Sequence, residues 1–184
     1  LLDRPQPDRT PQVPYVIERG LLSKRECSAV LATRDDPSIW RRFDSRETES
    51  CIYPKEWEYI DDTLVARVDQ RTRDINAKQW RVDLVGQYMY PRVLEYVRGC
   101  SMAPHVDYQP HCGEYDKFCA ILMLSNRDEY TGGDLVMGNY MKGSVNLRKG
   151  DAVFFPTFMA HHVTKVTRGR RITMTFWSWG PAYR

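Results

Sequence analysis

The sequence predicts a mainly β domain, a double-sheet jelly roll backed by two N-terminal helices. Glycine is absent from residues 21 to 85, whereas ten of the eleven glycines lie from residue 86 onward. Two segments of the first part keep the helical spacing of apolar residues, and the second part contains many short β-rich runs separated by turn residues. Short strands with no helix between them are typical of antiparallel sandwiches and small barrels.

The first helix is predicted to begin after Ser23, which forms a capping box with Glu26, and to continue to about Arg34. The second begins after Asp61 or Asp62 and continues to about Lys78. A short strand at 15–17 precedes both helices. The β-rich runs that should form the jelly roll are 84–90, 93–98, 118–124, 133–136, 152–155, 161–166 and 171–177.

The domain organisation follows from length and proline content. Residues 1–14 contain four prolines, which favours an extended tail. The remainder, 15–184, has the length of one domain, with 15–83 as helical support and 84–184 as the jelly-roll core.

Composition excludes several classes of protein. With 28% charged residues and no apolar run near the ~18 residues that a membrane helix needs, we expect a globular protein without a membrane partner. A net charge of +3 is too small to indicate nucleic-acid binding. The five cysteines include no CxxC pair, which favours a reducing compartment and a cytoplasmic location. The chain begins with leucine, so a removed targeting segment is compatible with the sequence.

Candidate metal ligands occur in two places. His105 and Asp107 stand at i and i+2, so on an extended segment they point to the same side and can bind one ion. Such a pair also occurs in ordinary polar turns, and a metal site therefore needs a third ligand. His161 and His162 are the two candidates.

The strand at 171–177 has two interpretations. By period 2, Arg171, Thr173, Thr175 and Trp177 share one face, and Ile172, Met174 and Phe176 share the other. If the first face points inward, Arg171 requires a buried anion, because an unpaired buried charge is costly. If the second face points inward, Arg171 lies in solvent. The pattern alone favours neither.

The run from Tyr96 to the end of the chain resembles the iron(II)/2-oxoglutarate-dependent oxygenases, specifically their prolyl-4-hydroxylase-type branch. The similarity covers about half of the chain in order and spacing. It consists of YVRG at 96–99, the His105-x-Asp107 pair, YTGGDL at 130–135, KGDAVFFP at 149–156, HHVTKVTRGRR at 161–171 and WSWGPAYR at 177–184.

The resemblance implies a role for each matching residue. His105, Asp107 and His161 become the two-histidine, one-carboxylate metal triad, with His162 facing away. Arg171 falls where the family binds the far carboxylate of 2-oxoglutarate, and Tyr96 falls where a tyrosine assists it. Thr173, on the face of Arg171, is a further hydroxyl donor. Tyr88 or Tyr90 could take the place of Tyr96 at the cosubstrate. Arg170 precedes Arg171 directly and is a second arginine at this point of the motif. Lys165 stands where the family has proline.

The implied fold is a double-stranded β-helix, and the implied activity is hydroxylation of an aliphatic carbon with Fe(II), 2-oxoglutarate and dioxygen, with ascorbate as reductant. The favoured substrate is a prolyl or other residue of a peptide or protein. A free amino acid or small metabolite is the alternative, since one fold hosts many substrates. A non-catalytic jelly-roll module with a structural metal is an alternative of another class.

Two aromatic segments are candidates for the substrate channel. The stretch 37–59 and the loop 108–117 are long and rich in aromatic residues, and loops of such length are usually functional or disordered. Trp57, Tyr108 and Tyr115 are the residues we expect at the channel, Tyr108 because it follows Asp107 directly. In the alternative interpretation these aromatic residues cover the helices.

Overall fold

The computed structural model describes residues 14–42, 55–59, 61–108, 110–111, 114–138 and 143–182. Almost all of the predicted tail and the middle of the 37–59 segment lie outside these ranges. The helices are α1 (Lys24–Ala32) and α2 (Asp62–Gln79). The strands are β1 (Val16–Glu18), β2 (Trp40–Arg42), β3 (Lys55–Tyr59), β4 (Gly86–Gln87), β5 (Arg92–Val97), β6 (Met102–His105), β7 (Pro110–His111), β8 (Glu114–Met123), β9 (Tyr130–Gly132), β10 (Leu135–Met137), β11 (Ser144–Val145), β12 (Ala152–Pro156), β13 (His161–Val163) and β14 (Val166–Pro181).

Both helices begin at the predicted caps. The backbone N–H of Glu26 donates to the Ser23 hydroxyl at 3.1 Å, and the Ser23 N–H donates to the Glu26 carboxylate at 2.7 Å, so the capping box is complete. Asp61 rather than Asp62 caps α2, because its carboxylate accepts the N–H of Leu64 at 3.0 Å. Among the described residues no helix is both long and apolar enough to cross a membrane.

The strands form two antiparallel sheets, which confirms the predicted jelly-roll class. The larger sheet has the order β1-β12-β8-β14-β5-β3-β2, and β4, β7 and β9 pair with its members. The smaller sheet has the order β11-β10-β13-β6. Between the sheets lies the barrel core, which includes Tyr96, Cys119, Leu135 and Phe155. The helix-side core lies between the larger sheet and the two helices, and it includes Val30, Val68 and Met174.

Both faces of β14 are buried over most of 171–177, the segment whose inward face the sequence pattern does not decide. Ile172, Met174 and Phe176 belong to the helix-side core. Arg171 is only 1% exposed and lies on the opposite face, with its guanidinium over the ring of Tyr96 in the barrel. The interpretation that places Arg171 in solvent is therefore wrong. An apolar face toward the helices and a polar face toward the barrel coexist because a layer packs on each side of the sheet.

Candidate active site

The smaller sheet brings three potential metal ligands together. His105 is the last residue of β6 and His161 the first of β13, and the two are direct cross-strand partners. Asp107 follows β6, and its backbone N–H donates to the carbonyl of Thr157 at 2.9 Å, which ties this loop to the segment before β13. One ligand atom from each of the three residues lies within 4.8 Å of the others. Cross-strand pairing thus joins residues that are 56 positions apart in the sequence.

Both imidazole rings are held in the same way. The Nδ1 atom of His105 lies 2.8 Å from the carbonyl oxygen of Ala103, and Nδ1 of His161 lies 3.1 Å from that of Met159. A carbonyl oxygen can only accept, so the hydrogen bond assigns the proton to Nδ1 in each ring. The Nε2 atoms are left as acceptors, and they lie 3.3 Å and 3.7 Å from the carboxylate oxygens of Asp107. This is the orientation that metal-binding histidines require.

The three side chains have different electrostatic surroundings. When His105 is protonated, its Nε2–H donates to the Asp107 carboxylate, and this hydrogen bond raises the pKa of His105, whereas burial lowers the pKa of His161. Burial opposes ionisation of Asp107, but the hydrogen bond from protonated His105, the positive charge of protonated His161 and the hydrogen bond from Trp177 together lower its pKa. Asp107 is therefore a carboxylate at neutral pH, and the group offers two imidazole nitrogens and one anionic oxygen.

His162 takes no part in this group. It pairs with Val136 of β10 in the register of the smaller sheet, and alternation along β13 turns its side chain away from that of His161. The cluster of potential ligands found among the described residues contains His161 and not His162.

Arg171 lies in the barrel, and no ion pair joins it to a carboxylate of the part of the chain that the structure describes. Its guanidinium carbon is 5.0 Å from the centroid of the Tyr96 ring, and Nη1 is 3.5 Å from the hydroxyl of Thr173. Within the described residues its buried Nε has no hydrogen-bond partner. Gly133 has a φ of +63°, and a Cβ there would come within 2.9 Å of Arg171 Cδ, so a side chain at this position would displace the arginine. The residues predicted at the cosubstrate thus lie in mutual contact.

Neither alternative tyrosine has this position. Burial, together with a hydrogen bond and the charge of Asp116, raises the pKa of Tyr88 to about 12. Tyr90 is 46% exposed. Tyr96, which is 2% exposed and the direct cross-strand partner of Arg171, is the tyrosine that the fold places beside the guanidinium.

Arg170 points to the opposite face of β14. Its Nε lies 2.9 Å from the carboxylate of Glu95, a buried residue of β5 that also contacts Arg34 at 2.5 Å. Arg34 follows α1 in the sequence. The two consecutive arginines therefore have different positions. Arg171 lies in the barrel, and Arg170 links β14 and β5 to the helical layer.

Of the three aromatic residues predicted at the channel, two lie together. The rings of Tyr108 and Tyr115 stack with centroids 5.1 Å apart and an interplanar angle of 9°. Trp57, by contrast, packs against the helix-side core, and its ring centroid lies 6.3 Å from that of Trp40. Its expected place at the channel needs correction, because β3 joins the outer part of the larger sheet and directs Trp57 toward the helices.

Two residues that the sequence did not assign to the site lie beside Asp107. The indole Nε1–H of Trp177 donates to Oδ2 at 3.1 Å. Burial and, after it, the nearby charge of Asp107 raise the pKa of the Cys119 thiol. The sequence could have predicted Trp177 at the site, because this residue shares the inward face of its strand with Arg171. The sequence could not have predicted Cys119 there, since the run 118–124 is apolar at most positions and shows no period that separates its faces.

Comparisons with known proteins identify sequence relatives of the second half of the chain. The sequence model of the 2OG-Fe(II) oxygenase superfamily matches residues 91–179. A PKHD-type hydroxylase of Cupriavidus pinatubonensis is 38% identical over 97 residues, which cover 48% of this chain and 42% of that protein. The match thus spans less than half of the length of this relative.

Solved structures share the fold over most of the chain. A prolyl-4-hydroxylase of Pseudomonas putida superimposes with a TM-score of 0.67 at 21% identity, covering 90% of this chain and 91% of that one. A prolyl hydroxylase of Trichoplax adhaerens, solved with a peptide fragment of the oxygen degradation domain of hypoxia inducible factor, gives a TM-score of 0.68 at 15% identity and covers 90% and 83%. Residues 91–179 are therefore similar to the 2OG-Fe(II) oxygenase superfamily, and the chain shares its fold with solved prolyl hydroxylases.

Proposed function

We propose that this protein is an iron(II)- and 2-oxoglutarate-dependent dioxygenase that hydroxylates an aliphatic carbon, with a prolyl residue of a peptide or protein as the favoured substrate. The observation that carries the proposal is the convergence of His105, Asp107 and His161 in a barrel whose interior also holds Arg171, a buried arginine whose Nε has no hydrogen-bond partner among the described residues. Together these residues match a metal and a diacid.

His105, Asp107 and His161 are the residues that would hold the iron. Two imidazoles and one carboxylate are the donor set of non-haem iron oxygenases, in which the remaining positions stay open for cosubstrate and dioxygen. A structural metal site usually closes its shell with four protein ligands, whereas the cluster among the described residues contains three. This difference favours the enzyme over a non-catalytic jelly-roll module.

Arg171 would bind the far carboxylate of 2-oxoglutarate. A guanidinium matches a carboxylate in shape and stays charged at any working pH, so it selects a diacid over a neutral 2-oxo acid. The hydroxyl of Thr173, already 3.5 Å from Arg171, and that of Tyr96 are the donors that would complete the pocket. The need of Arg171 for an anion supports this role, because a buried charge without a partner is costly.

When bound, iron would let dioxygen oxidise both reactants: one oxygen atom enters succinate as 2-oxoglutarate loses carbon dioxide, and the other converts a C–H bond of the substrate into C–OH. The chain positions the reactants and limits the access of water. Ascorbate is the reductant that we expect to sustain turnover. Tyr108 and Tyr115 would line the approach of the substrate, because Tyr108 follows Asp107 directly and stacks on its partner.

A peptide substrate is favoured over a free amino acid by the relatives and neighbours, which include a PKHD-type hydroxylase and a prolyl hydroxylase with a bound peptide. The test is succinate release with Fe(II), ascorbate and 2-oxoglutarate in the presence of proline-containing peptides, the same peptides with alanine for proline, and free amino acids. We expect succinate release and a gain of 16 mass units in the proline peptides alone.

His161→Ala is the matched inactive control for this assay. His162→Ala changes the adjacent residue, which lies outside the ligand group, and should remain active. Turnover with free amino acids only would move the substrate to the small-molecule class. No succinate from any member of the panel would leave the oxygenase proposal without support.

A further inference from the structure

Asp107 is held on one of its two oxygens by a residue that the proposed function does not use. Oδ2 accepts the indole Nε1–H of Trp177 at 3.1 Å, while Oδ1 lies 3.3 Å from Nε2 of His105. An indole N–H can only donate, and it carries no charge at any working pH. Its hydrogen bond therefore fixes the orientation of the carboxylate without competing for the metal.

The sheet holds Trp177 from both sides. Its carbonyl accepts the backbone N–H of Tyr88 at 3.0 Å on one edge of β14, and on the other edge Trp177 is the direct cross-strand partner of Cys119. Cys119 is fully buried. The Asp107 carboxylate is thus held by a side chain of the larger sheet, although Asp107 itself follows a strand of the smaller sheet.

We propose that Trp177 is a positioning residue that fixes the orientation of the Asp107 carboxylate within the ligand group. This inference rests on the proposed metal site. A carboxylate that is free to rotate can bind a metal through both oxygens and thereby fill a position that cosubstrate or dioxygen needs. A donor fixed on Oδ2 opposes that rotation. Hydrogen-bond partners of metal ligands typically change metal affinity by about 10- to 100-fold when they are removed.

The test is titration of the metal-free protein with Co(II), followed by its visible absorption, which reports coordination without turnover. Trp177→Phe removes the N–H and keeps most of the ring. We expect its dissociation constant for Co(II) to rise about tenfold or more. Trp179→Phe is the matched control on the same strand, because that ring packs against Gly86 rather than Asp107. We expect it to bind Co(II) as the unmutated protein does.

A second measurement separates positioning from packing. Circular dichroism and thermal unfolding identify any variant that fails to fold.

A measurement on the unmutated protein completes the test and does not depend on any variant. In the metal-free state, the Trp177 indole N–H should exchange slowly with solvent, and its ¹H–¹⁵N resonance should shift when Zn(II) is added. Fast exchange would overturn the inference, and so would equal Co(II) affinity of Trp177→Phe and the unmutated protein. If the unmutated protein itself binds no Co(II), the proposed metal site fails instead, which separates the two failures.

Discussion

Tyr96 and Arg171 are direct partners across β5 and β14, and the guanidinium of Arg171 lies 5.0 Å from the centroid of the Tyr96 ring. The face of an aromatic ring attracts a cation, but it does not neutralise the charge. The pair thus stabilises Arg171 in a buried position and leaves the arginine able to bind an anion. This is the physical basis of the first prediction.

Arg171→Ala should raise the concentration of 2-oxoglutarate needed for half-maximal binding by at least about two orders of magnitude. Removing one partner of a buried charged pair costs about 3–5 kcal/mol, and every 1.4 kcal/mol is about tenfold in affinity. Metal binding should remain, because Arg171 is not among the clustered ligands. Calorimetric titration of 2-oxoglutarate into the Mn(II)-loaded protein measures this effect.

Arg170→Ala is the control for that titration. Arg170 contacts Glu95 on the other face of β14, so its loss should lower thermal stability and leave the affinity for 2-oxoglutarate nearly unchanged. The reverse order of the two effects would mean that the faces of β14 are assigned in the wrong register.

His161→Ala should abolish tight metal binding, whereas His162→Ala should retain it. The two residues are neighbours in the sequence, but only His161 directs a ring nitrogen toward Asp107. Metal content after dialysis against a limiting concentration of Fe(II) under anaerobic conditions gives the comparison. Loss of metal from His162→Ala and retention by His161→Ala would refute the assignment of the third ligand.

The capping box of α1 should make stability depend on pH in the acid range. The hydrogen bond from the backbone of Ser23, with further contributions from Arg67, lowers the pKa of Glu26 from its ordinary value of 4.5 to about 2. Because folding lowers this pKa, the stabilising contribution is present in full above pH 4.5 and is lost as the pH falls toward 2.

The measurement is the urea midpoint of the unmutated protein and of Glu26→Gln between pH 2 and 6. The amide keeps a hydrogen-bond acceptor but does not titrate in this range. The stability difference between the two proteins should shrink as the pH falls. A difference that stays constant would show that the charge of Glu26 contributes nothing.

Substrate binding should slow hydrogen exchange in the segment around Tyr108 and Tyr115, since Tyr108 directly follows Asp107 and its ring stacks on that of Tyr115. The strand that carries Trp57 is an internal control, because Trp57 packs toward the helices and should show no change. Exchange followed by mass spectrometry, with and without a proline peptide, tests both segments. Protection at Trp57 without protection at Tyr108 would reverse the assignment of the channel.

The parts of this fold that the sequence predicted are those set by local chemistry. Ser23 with Glu26, and Asp61, mark helix starts because a side-chain oxygen satisfies a free backbone N–H within three residues. The metal ligands were predictable through motif spacing, since His105 and Asp107 are close in the chain. Which histidine joins them depended on the family resemblance, and the alternation of β13 agrees with that choice.

The parts that could not be predicted depend on which layer covers each face of a sheet. Strands β2 and β3 fall in a stretch where aromatic residues follow no clear period, so neither the strands nor the direction of Trp57 could be derived. On β14 the period was visible, but both faces are buried, and the pattern could not tell the helix side from the barrel side. Cys119 lies beside Asp107 through tertiary packing alone.

One continuous strand, β14, carries both Arg171 and Trp177. The two residues are six positions apart, or about 20 Å of backbone at ~3.3 Å per residue. Strands β5 and β8 pair with β14 on opposite edges between them, so this length cannot change without breaking two ladders of hydrogen bonds. Under the proposed function the strand acts as a ruler. It fixes how far Arg171 lies from Trp177 and therefore from the Asp107 carboxylate that Trp177 contacts, so an insertion or deletion within 172–176 would displace the anion-binding residue relative to the metal ligands.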